Sequence, residues 1–462
     1  MCRYDEGRGK RRMKTPIVDF VRGYMDSDIS RFHMPGHKGK VFLGPEPYDI
    51  TEIGGADVLY SAEGIIAESE DNASALFGTA HTFYSAEGST LAIKAMLMLA
   101  SSLAPVGERP LILAGRNAHK AFIYGAALLD IDVEWLYPEN AEHLCACNID
   151  AQSLEARLAA QGRTPCAVYI TSPDYLGRIS DVRALAGVCQ KYSVPLLVDN
   201  AHGAYLGFLE ASLHPIELGA CMCADSAHKT LPVLTGGAYL HVSKNAPRAF
   251  LENARHALSL FASTSPSYVI LQSLDMCNRY ISEGYSERLA SFISLVNKVK
   301  ERLLLLGFAP EESEPLKIVL NTAKCGYTGE EVCAHLRAKG MEAEFCDNEY
   351  IVLMLTPENS EAELLRLVGV FEALPIRAPI KTERIVPEKR NAAMPIRAAM
   401  LSRQEIIPVT EAQGRICASP TVSCPPAVPI VVSGEVIAER DVKLFQRYGV
   451  EKISVVKQDK TF

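Results

Sequence analysis

Between about residue 70 and residue 260 the chain alternates short apolar, β-prone runs with segments of helical periodicity. In order these read "TFYS", "GSTLAIKAMLMLASSLA", "PLILAG", "HKAFIYGAALLD", "DVEWLYP", "SLEARLAAQG", "CAVYITSP", "DVRALAGVCQKYS" and "VPLLVDNAHG". Strand runs that are apolar throughout, rather than every second residue, suit a sheet buried on both faces. With a helix after each strand, the pattern predicts an α/β fold around a mostly parallel central sheet. Ahead of it, "EGIIAESEDNASALFG" (63–78) repeats apolar residues at helical spacing, and Gly78 stands where such a helix would end.

The pattern changes near Pro266. Residues 268–307 read as one long helical stretch able to bridge two domains, and shorter α+β patterns continue to about 375. "PIRAPIKTERIVPEKRNAAMPIR" (375–397) is rich in Pro and charge and reads as a linker to a compact C-terminal piece containing "SCPPAVPIVVSGEVI" (423–437). The expected organisation is a tail or helical segment at 1–30, a large domain at 31–265, a helix and smaller α+β domain at 266–375, and a linker with a C-terminal subdomain at 376–462.

Composition removes several classes of function. A net charge of −8 argues against nucleic acid as a partner, because a phosphate backbone calls for a basic surface. The most apolar stretch, residues 91–106, carries Lys94 and breaks at Pro105, so no membrane span is expected. The basic start "MCRYDEGRGKRRMK" lacks the apolar core of a signal peptide. Thirteen cysteines show no paired zinc spacing, so reduced thiols, a cytoplasmic location and no metal are expected.

Chemistry is expected at the carboxyl ends of the parallel strands. "LLVDNAHGAY" (196–205) delivers Asp199 and His202 there, and Lys229 follows thirty residues after Asp199. "LILAGRNAHK" (111–120) delivers Arg116 and His119. "YSAEGSTLAIKAM" (84–96) runs from a strand through Glu87, Gly88, Ser89 and Thr90 into a helix, whose first N–H groups suit an anion. Taken singly, each is an ordinary cap, core histidine or surface lysine. Together they supply what pyridoxal phosphate needs: an amine for a Schiff base (Lys229), a phosphate cradle (88–90), an acid for the pyridine nitrogen (Asp199) and a flat group over the ring (His119).

These motifs make the sequence recognisable. "RFHMPGHKGK" (31–40), "DITEIGGADVLYSAEGIIAESE" (49–70), "FYSAEGST" (83–90), "RNAHKA" (116–121), "ITSPDYLGR" (170–178), "VDNAHGA" (198–204), "DSAHKTLPVLTGGAYLHV" (225–242), "STSPSYVILQSLD" (263–275) and "CPPAVPIVVSGE" (424–435) follow one another in order. In them the chain resembles the Orn/Lys/Arg decarboxylase family of fold type I, aspartate aminotransferase-like pyridoxal-phosphate enzymes. It is most similar to the shorter members without an N-terminal response-regulator-like domain. The resemblance implies that Lys229 carries the cofactor, Asp199 pairs with its ring nitrogen and His119 stacks on the ring. It implies that His228 or Lys229 protonates the decarboxylated carbon, and that Gly88, Ser89, Thr90 and Ser226 hold the phosphate while His202 lines the cofactor's edge. Thr264, in "ASTSPS" (262–267), would reach the phosphate of a neighbouring subunit in a homodimer or higher assembly. The implied reaction is decarboxylation of lysine, arginine or ornithine to its amine. Transamination, Cβ elimination or a non-catalytic cofactor-binding paralogue are the alternatives.

The chain departs from the family pattern at Glu87, at Asp174, at Asn200 and Tyr205 in "DNAHGAY", and at Gly236-Gly237 after the lysine. Asp174, Glu87 and Glu435 of "SGE" are candidates for gripping a distal substrate cation.

Overall fold

The computed structural model describes residues 12–138, 143–382, 389, 392–420 and 427–458. Seven strands build the central sheet: β1 (His81–Ser85), β2 (Leu111–Gly115), β3 (Asp132–Leu136), β4 (Ala167–Thr171), β5 (Leu196–Asp199), β6 (Met222–Asp225) and β7 (Ala238–Val242). Their order is β1-β7-β6-β5-β4-β2-β3. Pairing is parallel from β3 through β6, and β7 is antiparallel to both of its neighbours. The sheet is therefore mostly parallel, as its apolar strand runs predict, with β7 as the reversed strand.

Side chains alternate across it. Val168, Ile170, Leu196, Val198 and Cys223 enter one core with Leu154 and Leu158 of α5 (Ala151–Ala159) and Val182 and Leu185 of α6 (Val182–Lys191). Tyr169, Leu197, Met222 and Ala224 enter the opposite core with α3 (Gly88–Ser101), α4 (Lys120–Leu129) and α8 (Arg248–Phe261). Burial on both faces is what removes the polar alternation from these strands.

Of the remaining helices, α1 is Pro16–Met25, and α2 (Ile65–Phe77) ends on Gly78 in the left-handed conformation, φ +67°. The stretch 268–307 is two helices rather than one, α9 (Tyr268–Ser282) and α10 (Tyr285–Leu305). The break is at Gly284, whose φ of +82° a helix interior cannot hold.

Beyond α10, β8 (Lys317–Asn321), β9 (Phe345–Cys346) and β10 (Tyr350–Met354) form an antiparallel sheet in the order β8-β10-β9. A second antiparallel sheet, β11 (Gln404–Pro408), β12 (Cys417–Ser419) and β13 (Lys452–Val456), has the order β11-β13-β12. Val319, Phe345 and Val352 share a core with Val409, Cys417, Val431 and Ile453, which joins the two sheets. The N-terminal basic tail to residue 11, residues 383–388 of the expected linker and residues 421–426, including "CPP", lie outside the described residues. The eleven described cysteines are free thiols. Among the described residues no helix is long and apolar enough to cross a membrane.

Candidate active site

Lys229 sits in α7 (Ala227–Thr230), a single turn that follows directly from the buried end of β6. Its neighbour in the sheet, β5, ends at Asp199, in register with Ala224. Thus the thirty residues between Asp199 and Lys229 span one crossover, and both side chains emerge at the same sheet edge. Lys229 Nζ is 3.0 Å from His202 Nε2. It is close enough to Asp199, His119 and His228 for its charge, whenever it is protonated, to act on each.

Asp199 is buried; Oδ2 accepts from Tyr169 Oη at 3.1 Å and Oδ1 from the Ala201 N–H at 3.2 Å. Burial raises its pKa, tempered by Lys229 and these hydrogen bonds. A carboxylate in this state favours a cation brought against it, such as a protonated ring nitrogen.

His119 is the N-cap of α4, and its Nδ1 accepts from the Ala121 N–H at 3.1 Å. Burial, then Lys229 and Lys120, push its pKa down to about 4, so it is a neutral ring at physiological pH. His228 Nδ1 donates to the Gly237 carbonyl at 2.9 Å, leaving Nε2 as its working atom. Burial and Lys229 lower its pKa, although the Gly237 contact opposes the shift.

The expected anion cradle forms at the start of α3. Gly88 has φ +71°, and a Cβ there would project into open space. Ser89 Oγ accepts from Ser226 Oγ at 2.8 Å, which ties the start of α3 to the turn carrying Lys229. Thr90 and Thr264 are exposed, and the Ser263 N–H donates to Glu87 Oε1 at 2.7 Å. The 262–267 loop therefore meets the 87–90 turn of its own chain. An amine, a buried acid, a neutral flat ring and a glycine-opened hydroxyl cradle at one sheet edge fit pyridoxal phosphate.

The departures from the family pattern acquire structural reasons. Gly236, at φ +100°, accepts from the Gly88 N–H at 2.7 Å, and a Cβ on it would sit 3.0 Å from the Ala86 carbonyl. Gly237 has no room for a Cβ beside Val233 and supplies the carbonyl that holds His228. The pair positions the cradle and the histidine. Asn200 Nδ2 donates to Asp225 Oδ1 at 2.7 Å, while His214 and His241 reach Asp225 Oδ2 at 3.0 and 3.2 Å. Burial works against ionised Asp225, but the two histidines outweigh it and hold the carboxyl well below its usual range. A glutamate at position 200 would set a second carboxylate against that one. The buried group of Asp225, His214, His241 and Cys223 had no spacing signal in the sequence, since its members come from two strands and a loop.

One distal-cation candidate is corrected. Glu435 is buried in an ion pair with Arg116 at 3.3 Å and accepts from the Val432 N–H at 2.8 Å, so it ties the C-terminal segment to the large domain. Arg116 also donates to the carbonyls of Pro429 and Ile430, at 2.9 and 3.0 Å, and is equally committed. Glu87 is engaged with the Ser263 N–H. Asp174 is buried, which raises its pKa to about 6, and accepts from the Arg178 N–H at 3.0 Å.

The Orn/Lys/Arg decarboxylase major-domain model matches residues 15–307, and the C-terminal-domain model of the same name matches residues 383–449. The chain is similar to an arginine decarboxylase of Bacillus subtilis, 28% identical over 93% of this chain and 92% of that one. It is likewise similar to an arginine decarboxylase of Bacillus anthracis, 27% identical over 94% and 93%. Among solved structures it superposes on the Francisella novicida lysine decarboxylase LdcF with a TM-score of 0.79 at 16% identity, covering 96% of this chain and 81% of that one. It superposes on a serine palmitoyltransferase of Sphingomonas wittichii with a TM-score of 0.55 at 14% identity, over 78% and 83%.

Proposed function

The chain belongs to the Orn/Lys/Arg decarboxylase family, a family of pyridoxal-phosphate-dependent amino-acid decarboxylases, and from that membership we propose that its substrate is arginine. The observation that carries the assignment of the site is the meeting of Lys229, Asp199, His119 and His202 at one end of β5 and β6. Arginine is favoured by the two Bacillus relatives, which match nearly end to end and are named for it.

When bound, pyridoxal phosphate supplies an electron sink for the pair left on Cα as CO₂ departs. Lys229 is the attachment amine, and its place in a one-turn helix behind β6 keeps Nζ at the sheet edge. Ser89, Thr90 and Ser226 bind the phosphate through N–H and hydroxyl donors, Gly88, whose N–H is held by the Gly236 carbonyl, gives it close approach, and Thr264 is the donor offered to the phosphate of a neighbouring subunit. Asp199 holds a proton on the ring nitrogen, a role its burial strengthens because the low dielectric magnifies the ion pair. Neutral His119 offers a flat face with no competing charge. His228, pinned through Nδ1, hands a proton from Nε2 to Cα, and its lowered pKa makes its imidazolium the stronger acid. The bond broken is Cα–carboxylate; one proton gained at Cα completes the amine.

Purified enzyme with pyridoxal phosphate should release CO₂ from arginine and form the matching amine. A kcat/KM for lysine or ornithine at least about tenfold above that for arginine would move the substrate assignment. Amine transfer without CO₂ from any of the three would overturn decarboxylation.

The assembly we propose is a homodimer. Phe32, Phe42 and Leu43 in one N-terminal stretch are 96%, 79% and 88% exposed, a density of bare apolar groups that an isolated subunit does not favour. Replacing Phe32 and Phe42 together by aspartate should shift the mass in light-scattering chromatography from dimer to monomer. A dimer unchanged at micromolar protein would remove this stretch from the interface.

A further inference from the structure

Lys317, at the start of β8, stands outside every sequence motif considered above and is 1% exposed. Its Nζ lies 2.8 Å from His202 Nδ1 and 2.8 Å from Glu314 Oε1. It also reaches the carbonyls of Asp174 and Tyr175, each at 3.4 Å. The Glu314 contact is an ion pair rather than an aligned hydrogen bond. Glu314 Oε2 in turn accepts from Tyr205 Oη at 2.8 Å. Tyr205 is one of the positions where the chain departs from the family pattern, so the departure belongs to this chain of contacts: Tyr205, Glu314, Lys317, His202, Lys229.

One imidazole thus meets two lysines, at 2.8 Å on Nδ1 and 3.0 Å on Nε2. A neutral imidazole has one N–H and one lone pair, and an ammonium can only donate. Two ammonium groups cannot both donate to it. An imidazolium could accept from neither. Lys317 is the partner held charged, because it is ion-paired out of water and its three protons have the His202 nitrogen and two carbonyls to meet. It therefore donates to Nδ1, which puts the His202 proton on Nε2, where the acceptor is the lone pair of Lys229.

We propose that Lys317 is a positioning residue that fixes His202 as the Nε2–H tautomer and so presents Lys229 as a neutral, nucleophilic amine for capture of the cofactor. The proposal rests on the reading of Lys229 as the attachment amine. In capture, the lysine nitrogen bonds to the aldehyde carbon of pyridoxal phosphate and the aldehyde oxygen leaves as water. Burial first, and after it the charge of Lys317, oppose protonation of His202. The Tyr175 ring packs edge-on against it at 5.2 Å. On the far side Glu314 and the buried Asp174 face Lys317.

The test is the rate at which apoprotein mixed with pyridoxal phosphate develops its visible band, measured by stopped flow from about pH 6 to about pH 9. Lys317→Met should slow capture at least about tenfold at the acid end, with the gap closing toward the alkaline end where lysine loses its proton to solvent. Lys317→Arg keeps the cation and should stay within about threefold throughout. Lys317→Met capturing with the wild-type rate and pH profile would overturn the proposal. So would an equal, pH-independent loss in the Met and Arg variants, which is the mark of a merely structural role. If the single variant does not fold, Glu314→Gln/Lys317→Met removes the stranded carboxylate and is held to the same profile. In ¹⁵N-histidine-labelled apoprotein, the His202 ring should show Nε2 as the protonated nitrogen; the reverse assignment would also overturn it. A wild-type chain that develops no band at any pH would instead bring down the cofactor reading itself.

Discussion

Lys229→Ala is expected to abolish the visible absorbance band of the cofactor-loaded protein and to reduce decarboxylation by at least about a thousandfold. The size of the effect follows from what the amine does. Of its neighbours among the described residues, His202 and His228 have no primary amine with which to form a Schiff base, and the Lys317 amine is committed to Glu314 and His202. The one-turn helix around Lys229 is capped by buried neighbours Ala227 and Thr230, so shortening a half-buried side chain leaves the core intact. Unchanged thermal unfolding would separate lost chemistry from lost fold. A variant that kept the band and more than about a tenth of the activity would remove Lys229 from the role.

Asp199→Asn should keep the band yet lower kcat by about a hundredfold to a thousandfold, roughly 3–4 kcal/mol of transition-state stabilisation. The amide preserves shape and can still meet Tyr169 Oη and the Ala201 N–H, now at 3.1 and 3.2 Å. What disappears is the negative charge proposed to keep a ring nitrogen protonated. Stability moves the other way. Burial raises the folded-state pKa of Asp199 above the ordinary carboxylate value, so in the cofactor-free protein its ionisation costs stability as pH rises from that ordinary value through the folded pKa. The amide removes that cost, and the cofactor-free variant should unfold at or above the wild-type temperature at neutral pH. A variant both less stable and less active would make Asp199 a structural residue first.

Most of the central sheet was legible in the sequence, because its strands are buried on both faces and so carry unbroken apolar runs. The reversal of β7 was not, since a Gly-Gly turn can return a chain in either sense until Gly236 is seen against the Gly88 N–H. Helical periodicity ran on through residues 268–307, and only the left-handed backbone at Gly284 divides them. Lys229, Asp199, His119 and the 88–90 turn were findable because each ends a strand or follows one within a few residues, and strand ends meet at one edge of a parallel sheet. Glu435 looked free in "SGE" because the arginine that engages it lies 319 residues away.

The alternation of strands and helices therefore determined the sheet, and the sheet determined that an amine, an acid and an anion cradle would share an edge. These are consequences of local periodicity, which a linear chain displays openly. The state of the amine was decided only in three dimensions. His202 and Lys317 are 115 residues apart, on elements whose contact depends on how the sheet of β8 packs against the central sheet. Direct repulsion and hydrogen-bond direction act over a few ångströms, so no pattern along the chain could announce that one histidine would be shared between two lysines.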